Sequence, residues 1–334
     1  MSILGLHHVT ATVSGAQEDL DFATGALGLR LVKKTVNFDD HGIYHFYYGN
    51  ENGTPGTVST TFPYKDRGVA VGEKGLGQIT VTSFSVPAGS LDFWRSRLEI
   101  RGLPVREPPT SFGDESLVVT DPSGLAIELV ATESDRRVPW TGNGVPLTAG
   151  IRGLHSVTLQ SRAPGLTRRL MMGLLGFRLV DEIEGRVRMG IGGDDAGKLV
   201  DIVDSPGAPP ARNGLGTVHH VAFAVSDEDE QLRLREELIR QGLAVTEVLD
   251  RSYFRSIYFR EPGGILFEAA TTKPGFTLDE DLDSLGSHLK LPPWEEQNRE
   301  EIEAVLPRVA PVSGYGAART GPTNTKTRKH ENTN

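Results

Sequence analysis

Two pairs of adjacent histidines, His7-His8 and His219-His220, open strand-like runs, GLHHVTATV from Gly5 and GTVHHVAFAV from Gly216. Successive side chains on a strand point to opposite faces, so one histidine of each pair faces a given side. His8, Thr10 and Thr12 share a face against His7, Val9, Ala11 and Val13; likewise His220, Ala222 and Ala224 stand against His219, Val221, Phe223 and Val225. The bulky apolar face is expected to pack on a helix, which turns His8 and His220 into a cavity and leaves His7 and His219 on the outer face. A third donor comes from the run REPGGILFEAA. If Pro262, Gly263 and Gly264 form a three-residue hairpin loop, Glu261 pairs with Ile265 and Tyr258 falls across from Glu268. A glutamate buried between Phe267 and Ala269 is costly unless it is paired, protonated or bound to a cation. His8, His220 and Glu268 would make a 2-His-1-carboxylate triad, which leaves adjacent coordination positions open and suits non-haem Fe(II), with Mn(II) accepting the same ligands. Nearby, Tyr258 can exchange a proton and Arg251 can hold an anionic oxygen.

Positioning these residues requires a repeat. Four openings, at Gly5, Gly75, Gly153 and Gly216, each precede a helix-like segment; the first and third segments end in LGLRLV and LGFRLV, the second and fourth in RGLPV and QGLAV. The second and fourth units also close alike, on TDPSGLAIELV and REPGGILFEAA. The expectation is an α+β chain of four βαβββ modules, residues 1–66, 70–132, 151–205 and 214–272, in an N-terminal domain 1–140 and a C-terminal domain 150–275. A loop and helix (276–311) follow, the helix running from Trp294 to Leu306 after two prolines. Residues 312–334, rich in Thr, Gly and Asn, are expected to be disordered. The duplicate glutamate, Glu128, faces Val118 rather than tyrosine; the third unit carries Ser156 where a ligand histidine would stand and the second has Gln78 near that place. One half therefore reads as a copy without metal, and modules one and four as the pair that builds the site.

Composition narrows the chemistry. The 334 residues include no cysteine, so any metal sits on nitrogen and oxygen. A net charge of −9 argues against nucleic acid or an anionic membrane as partner. With no secretory profile and no long apolar run, a soluble cytoplasmic protein is expected. Either of His41 and His45 could line the pocket, the structural reading being favoured for both, and His155, His288 and His330 read as singletons without a role.

The four βαβββ units, their leading histidines and the closing glutamate resemble the vicinal oxygen chelate superfamily of glyoxalases, fosfomycin-resistance enzymes and extradiol dioxygenases. The motifs LHHVT, LVKKTVNFDD, YYGNENGTPGT and DRSYFRSIYFREPGGILFE look most like the hydroquinone ring-cleaving dioxygenases, over Ser2 to Pro307. That resemblance implies two barrels of the superfamily type, iron on His8, His220 and Glu268, and catalytic roles for Tyr258, Arg251, His219 and His7. It implies a reaction in which a hydroquinone-type or catechol-type diol and O₂ meet at Fe(II) and the ring opens beside a hydroxylated carbon. A glyoxalase-like isomerase or lyase would need a fourth ligand, and the run GTVSTTFPY from Gly56 to Tyr64 has no carboxylate. A non-catalytic aromatic-binding protein of the same fold would not need the three ligands together. The helix from Trp294 either caps the pocket or packs at the subunit contact of a homo-oligomer.

Overall fold

The structure, a computed structural model, describes residues 3–310; the tail expected to be disordered lies outside the described residues. Module one supplies β1 (Ile3–Val13), the helix α1 (Ala16–Leu20) continued by a π-helical turn (Asp21–Ala26), β2 (Arg30–Asn37), β3 (Asp40–Gly49) and β4 (Val58–Pro63). Module two supplies β5 (Gln78–Pro87), α2 (Leu91–Ile100), β6 (Val105–Arg106), β7 (Glu115–Thr120) and β8 (Ala126–Thr132). Module three supplies β9 (Gly153–Gln160), α3 (Pro164–Gly173), β10 (Arg178–Ile183), β11 (Arg186–Gly190) and β12 (Leu199–Val203). Module four supplies β13 (Thr217–Val225), α4 (Glu228–Arg240), β14 (Leu249–Asp250), β15 (Arg255–Arg260) and β16 (Leu266–Thr271).

Local chemistry accounts for these boundaries. Asp227 accepts the Glu230 N–H at the start of α4, whose first turn is acidic. Gln231, Leu234 and Leu238 then fall on one buried face at helical spacing. Pro164 begins α3, where a missing N–H costs nothing. The helix expected from Trp294 is shorter, a 3₁₀ turn (Glu296–Asn298) running into α5 (Arg299–Val305). Trp294 turns aside to pack edge-on against Phe38, 5.8 Å between ring centres, and no side chain caps the helix start at Asn298.

The described residues form two eight-stranded sheets, each joining one module from either half of the chain. One runs β14-β15-β16-β13-β1-β4-β3-β2, the other β10-β11-β12-β9-β5-β8-β7-β6. Modules one and four thus meet where β1 lies antiparallel to β13, and modules two and three where β5 lies antiparallel to β9. The outer faces of β1 and β13, with Val9, Val13, Val221 and Phe223, join Ile79, Phe84, Leu154 and Val157 in one apolar core between the sheets. Related clamps lock the halves. The loop before β4 gives Gly56 N–H to His7 O and Gly56 O to Leu154 N–H; the loop before β12 gives Gly197 N–H to His155 O and Gly197 O to Leu6 N–H. A Cβ on Gly5 would come 2.8 Å from Gly197 O, so that approach requires glycine. The segment after β16 lies along β2, where the fully buried Lys33 ammonium reaches Asp279 and Glu280, each at 2.6 Å.

Candidate metal centre

The hairpin of β15 and β16 pairs Tyr258 with Glu268, and Glu261 N–H bonds Ile265 O across a loop whose Gly264 takes φ +95°. On the adjoining strand, Ala222 is the parallel partner of Glu268, and Thr10 of β1 pairs with His220. This register brings three donor atoms together. Glu268 Oε2 lies 2.8 Å from His220 Nε2 and 3.3 Å from His8 Nε2, and the two imidazole nitrogens are 3.3 Å apart.

His7 and His219 are not on the outer face. The β1–β13 ladder breaks at both: His7 is the extra residue between the pairs Leu6–Phe223 and His8–Ala222, and His219 that between Thr10–His220 and Ala11–Val218. A bulge cancels one step of alternation, so both rings of each pair stand on one side. Nδ1 of His7 is 2.9 Å from Nδ1 of His8, and Nδ1 of His219 is 2.8 Å from Nδ1 of His220. When His8 lends its Nε2 lone pair to a cation, its Nδ1–H donates to His7, whose Nε2–H then donates to Thr271 O at 3.2 Å. The same chain from His220 leaves the Nε2–H of His219 directed at the cavity rather than at backbone. Burial, and after it the adjacent ligand histidine, push both His7 and His219 down to about 3, so both rings are neutral.

The residues fit a divalent ion. Bonds of about 2.1 Å at right angles hold neighbouring donors about 3 Å apart, the spacing seen here. Ser256 donates to Oε1 of Glu268, yet Oε2 is fully buried with no hydrogen bond of proper geometry. Burial favours a protonated Glu268, but the imidazoles of His8 and His220 facing it hold its carboxyl well below the usual range. Burial also lowers His220, and among the described residues no lysine or arginine pairs with this carboxylate to give it a permanent positive charge. A cation at the focus of the three atoms supplies it.

The second sheet gives the contrast. Glu128 pairs with Val118 as Glu268 pairs with Tyr258, but its oxygens accept from Ser83 at 2.6 Å and Ser116 at 2.8 Å. Ser83 holds the place of Ala222, and Ser156 that of His8. The register puts Val81, not Gln78, in the place of His220; Gln78, at the start of β5, instead reaches Asn213. Arg188 and Arg186 pair there with the buried Asp201, where the first sheet has Tyr47, His45 and Thr60. That interior is filled by its own charges.

A cavity of about 410 Å³ opens beside the ligands, lined by His8, His219, His220, Arg251, Tyr258 and the aromatic rings of β3 and β4. Burial, then Glu268, raise the Tyr258 phenol far above its ordinary range, so it keeps its proton; its oxygen accepts from Arg251 Nε at 3.2 Å. His45, for which lining the pocket is the less favoured of two sequence readings, lines this cavity, and its Nε2 is 2.9 Å from Thr60 Oγ1, itself 2.7 Å from Thr10 Oγ1. The alternation His45, Tyr47 along β3 was the signal for it. His41 and His288 are exposed near Glu295 and Glu280, His155 contacts Ser156 in the second sheet, and His330 lies outside the described residues.

Residues 5–129 and 153–269 match the sequence profile of the Glyoxalase/Bleomycin resistance protein/Dioxygenase superfamily. MhqE of Bacillus subtilis (strain 168), provisionally named a ring-cleaving dioxygenase, is 44% identical over 311 residues, covering 92% of this chain and 100% of that one. Chlorohydroquinone/hydroquinone 1,2-dioxygenase of Sphingobium indicum is 37% identical over 306 residues, 89% of this chain and 94% of that one. A crystal structure of a provisionally named dioxygenase from Bacillus subtilis superposes with a TM-score of 0.89 at 41% identity, covering 93% and 98% of the two chains. Glyoxalase I from Zea mays shares the fold at 16% identity, with a TM-score of 0.61 over 85% and 97%.

Proposed function

Because this chain belongs to the glyoxalase/bleomycin resistance/dioxygenase superfamily and is an enzyme of its ring-cleaving dioxygenase kind, we propose that it opens hydroquinone-type aromatic diols with O₂, using Fe(II) held by His8, His220 and Glu268. Both oxygen atoms enter the product, and the ring bond between a hydroxylated carbon and its neighbour breaks. The observation that carries this reading is the unpartnered Oε2 of Glu268, buried within 3.3 Å of two imidazole nitrogens and beside a cavity of ring size.

Fe(II) there supplies the electron path between ring and O₂ that side chains lack. The protein supplies orientation and protons. Two neutral imidazoles and one carboxylate leave a divalent site near +1, which favours an ionised hydroxyl. Phe254, 5.2 Å from the His8 ring, and Phe62 give the ring apolar walls. Tyr258 keeps its proton and is placed to donate it to a developing oxygen anion, while Arg251, donating to the Tyr258 oxygen, strengthens that phenol as a donor. The Nε2–H of His219 offers a further donor; His7, closed onto Thr271 O, positions His8. Thr60, where an isomerase would need a fourth ligand, hydrogen-bonds Thr10 and His45, which favours ring cleavage over a glyoxalase-type reaction. No helix among the described residues is long and apolar enough to cross a membrane, and a cytoplasmic setting is part of the proposal.

The test is anaerobic loading with Fe(II) and with Mn(II), metal analysis, and then O₂ uptake with substituted hydroquinones and catechols. Wild-type protein is expected to hold one ion and consume O₂ with para-diols, and Glu268→Gln to retain neither metal nor activity. Full turnover by Glu268→Gln would refute the ligand assignment.

A further inference from the structure

Two turns face each other across the cavity mouth. In the β2–β3 turn Asn37 Oδ1 accepts the Asp39 N–H at 3.0 Å, and Asn37 Nδ2 donates to Tyr64 Oη at 2.9 Å, anchoring the turn to β4's end. After β14, Asp250 Oδ1 accepts the Ser252 N–H at 2.7 Å, Ser252 takes φ +62°, and Arg251 N–H bonds Phe254 O. The turns present opposite charges. Arg251 Nη2 lies 3.2 Å from Asp39 Oδ2 and Nη1 3.4 Å from Oδ1, while Nε donates to Tyr258. Asp39 and Arg251 both line the cavity.

We propose that Asp39 is a specificity-determining residue: by neutralising Arg251 it restricts the site to diols whose ring carries no carboxylate. This rests on the ring-cleavage reading above. The charges decide it. The metal with its three ligands sums to +1 and the Asp39–Arg251 pair to zero, so a diol bound as a monoanion brings the cavity to neutrality. A ring carboxylate would add a second negative charge in a partly desolvated space and would meet Asp39 directly. Without Asp39 the guanidinium, only 16% exposed, would be the natural partner of that carboxylate. Asp39 itself is 73% exposed, so solvent limits the effect and leaves the turn free to accept substitution.

The experiment compares iron-loaded wild type, Asp39→Asn and Asp39→Asn/Arg251→Gln with hydroquinone and 2,5-dihydroxybenzoate. Anaerobic binding is followed by calorimetry and turnover by O₂ uptake. The ratio of carboxylated to uncarboxylated diol, in both affinity and kcat/KM, is expected to rise about fivefold in Asp39→Asn and to fall back in the double variant. An unchanged ratio in Asp39→Asn, with wild type still cleaving hydroquinone and iron content normal, overturns this inference alone. Iron-loaded wild type that neither binds nor consumes either diol overturns the ring-cleavage reading and this inference with it.

Discussion

Glu268 and Glu128 occupy equivalent places on equivalent hairpins, and besides the histidines facing only the first, a missing hydroxyl distinguishes their surroundings. Ser83 satisfies the inner oxygen of Glu128; at the matching place Ala222 offers nothing, so Oε2 of Glu268 is left for a cation. Ala222→Ser should supply the missing donor and compete with the ion. Metal affinity is expected to fall at least about tenfold, as loss of correct ligand orientation commonly costs, with the circular dichroism spectrum unchanged; equal affinity would show that the alanine is incidental. At this scale the sequence was informative where residue type and alternation suffice. The approach of His8, His220 and Glu268 followed from two duplicated pairs and a strand glutamate without an apolar reason to be there. The surroundings of His7 and His219 were hidden, because a bulge reverses the facing of one residue and leaves no mark in the alternation. Asp39 was hidden for another reason: an exposed turn residue gains its meaning only from Arg251, 212 positions away.

Among the elements, α1 is tied to its sheet by a buried acid. Asp19 accepts from Tyr48 Oη at 2.6 Å on β3 and from Thr61 Oγ1 at 2.5 Å on β4, and burial raises its carboxyl to about 7. The folded protein therefore holds this proton more tightly than the unfolded chain. The stabilisation is complete below about pH 4 and is lost as pH rises toward about 7. Asp19→Asn should remove that slope, so that the difference in urea midpoint between variant and wild type shifts in the variant's favour from pH 4.5 to pH 8. A difference independent of pH would mean that Asp19 stays ionised throughout. The closing hairpin was the legible element, since Pro262-Gly263-Gly264 acts through neighbours in sequence. The last helix was overextended, because the contact between Trp294 and Phe38 that shortens it is remote in the chain.

For the whole molecule, an ion held by His8, His220 and Glu268 would have a mechanical role as well as a chemical one, since these ligands straddle the β1–β13 seam joining the first module to the last. An ion in hundredfold excess over its Kd adds about 2.7 kcal/mol to the stability of the folded state. For a chain of this size that corresponds to about 4 °C in melting temperature. Chelation should lower the melting temperature of wild type by that amount and leave Glu268→Gln unmoved; equal drops in both would place the stabilising ion elsewhere. Four repeated openings and two matching closures made the modules legible, and the placing of histidines in the first and fourth gave their pairing. The clamps at Gly56 and Gly197 were not legible, because backbone-to-backbone bonds between loops carry no residue signature.

That seam also sets a schedule for the nascent polypeptide. His8 leaves the ribosome more than 200 positions before its companions His220 and Glu268. Until then β1 has no β13 to pair with, and an exposed strand edge must wait or be shielded. Any ion that the three ligands take up would thus report that translation has passed the final hairpin, and a product truncated before it would lack the complete site.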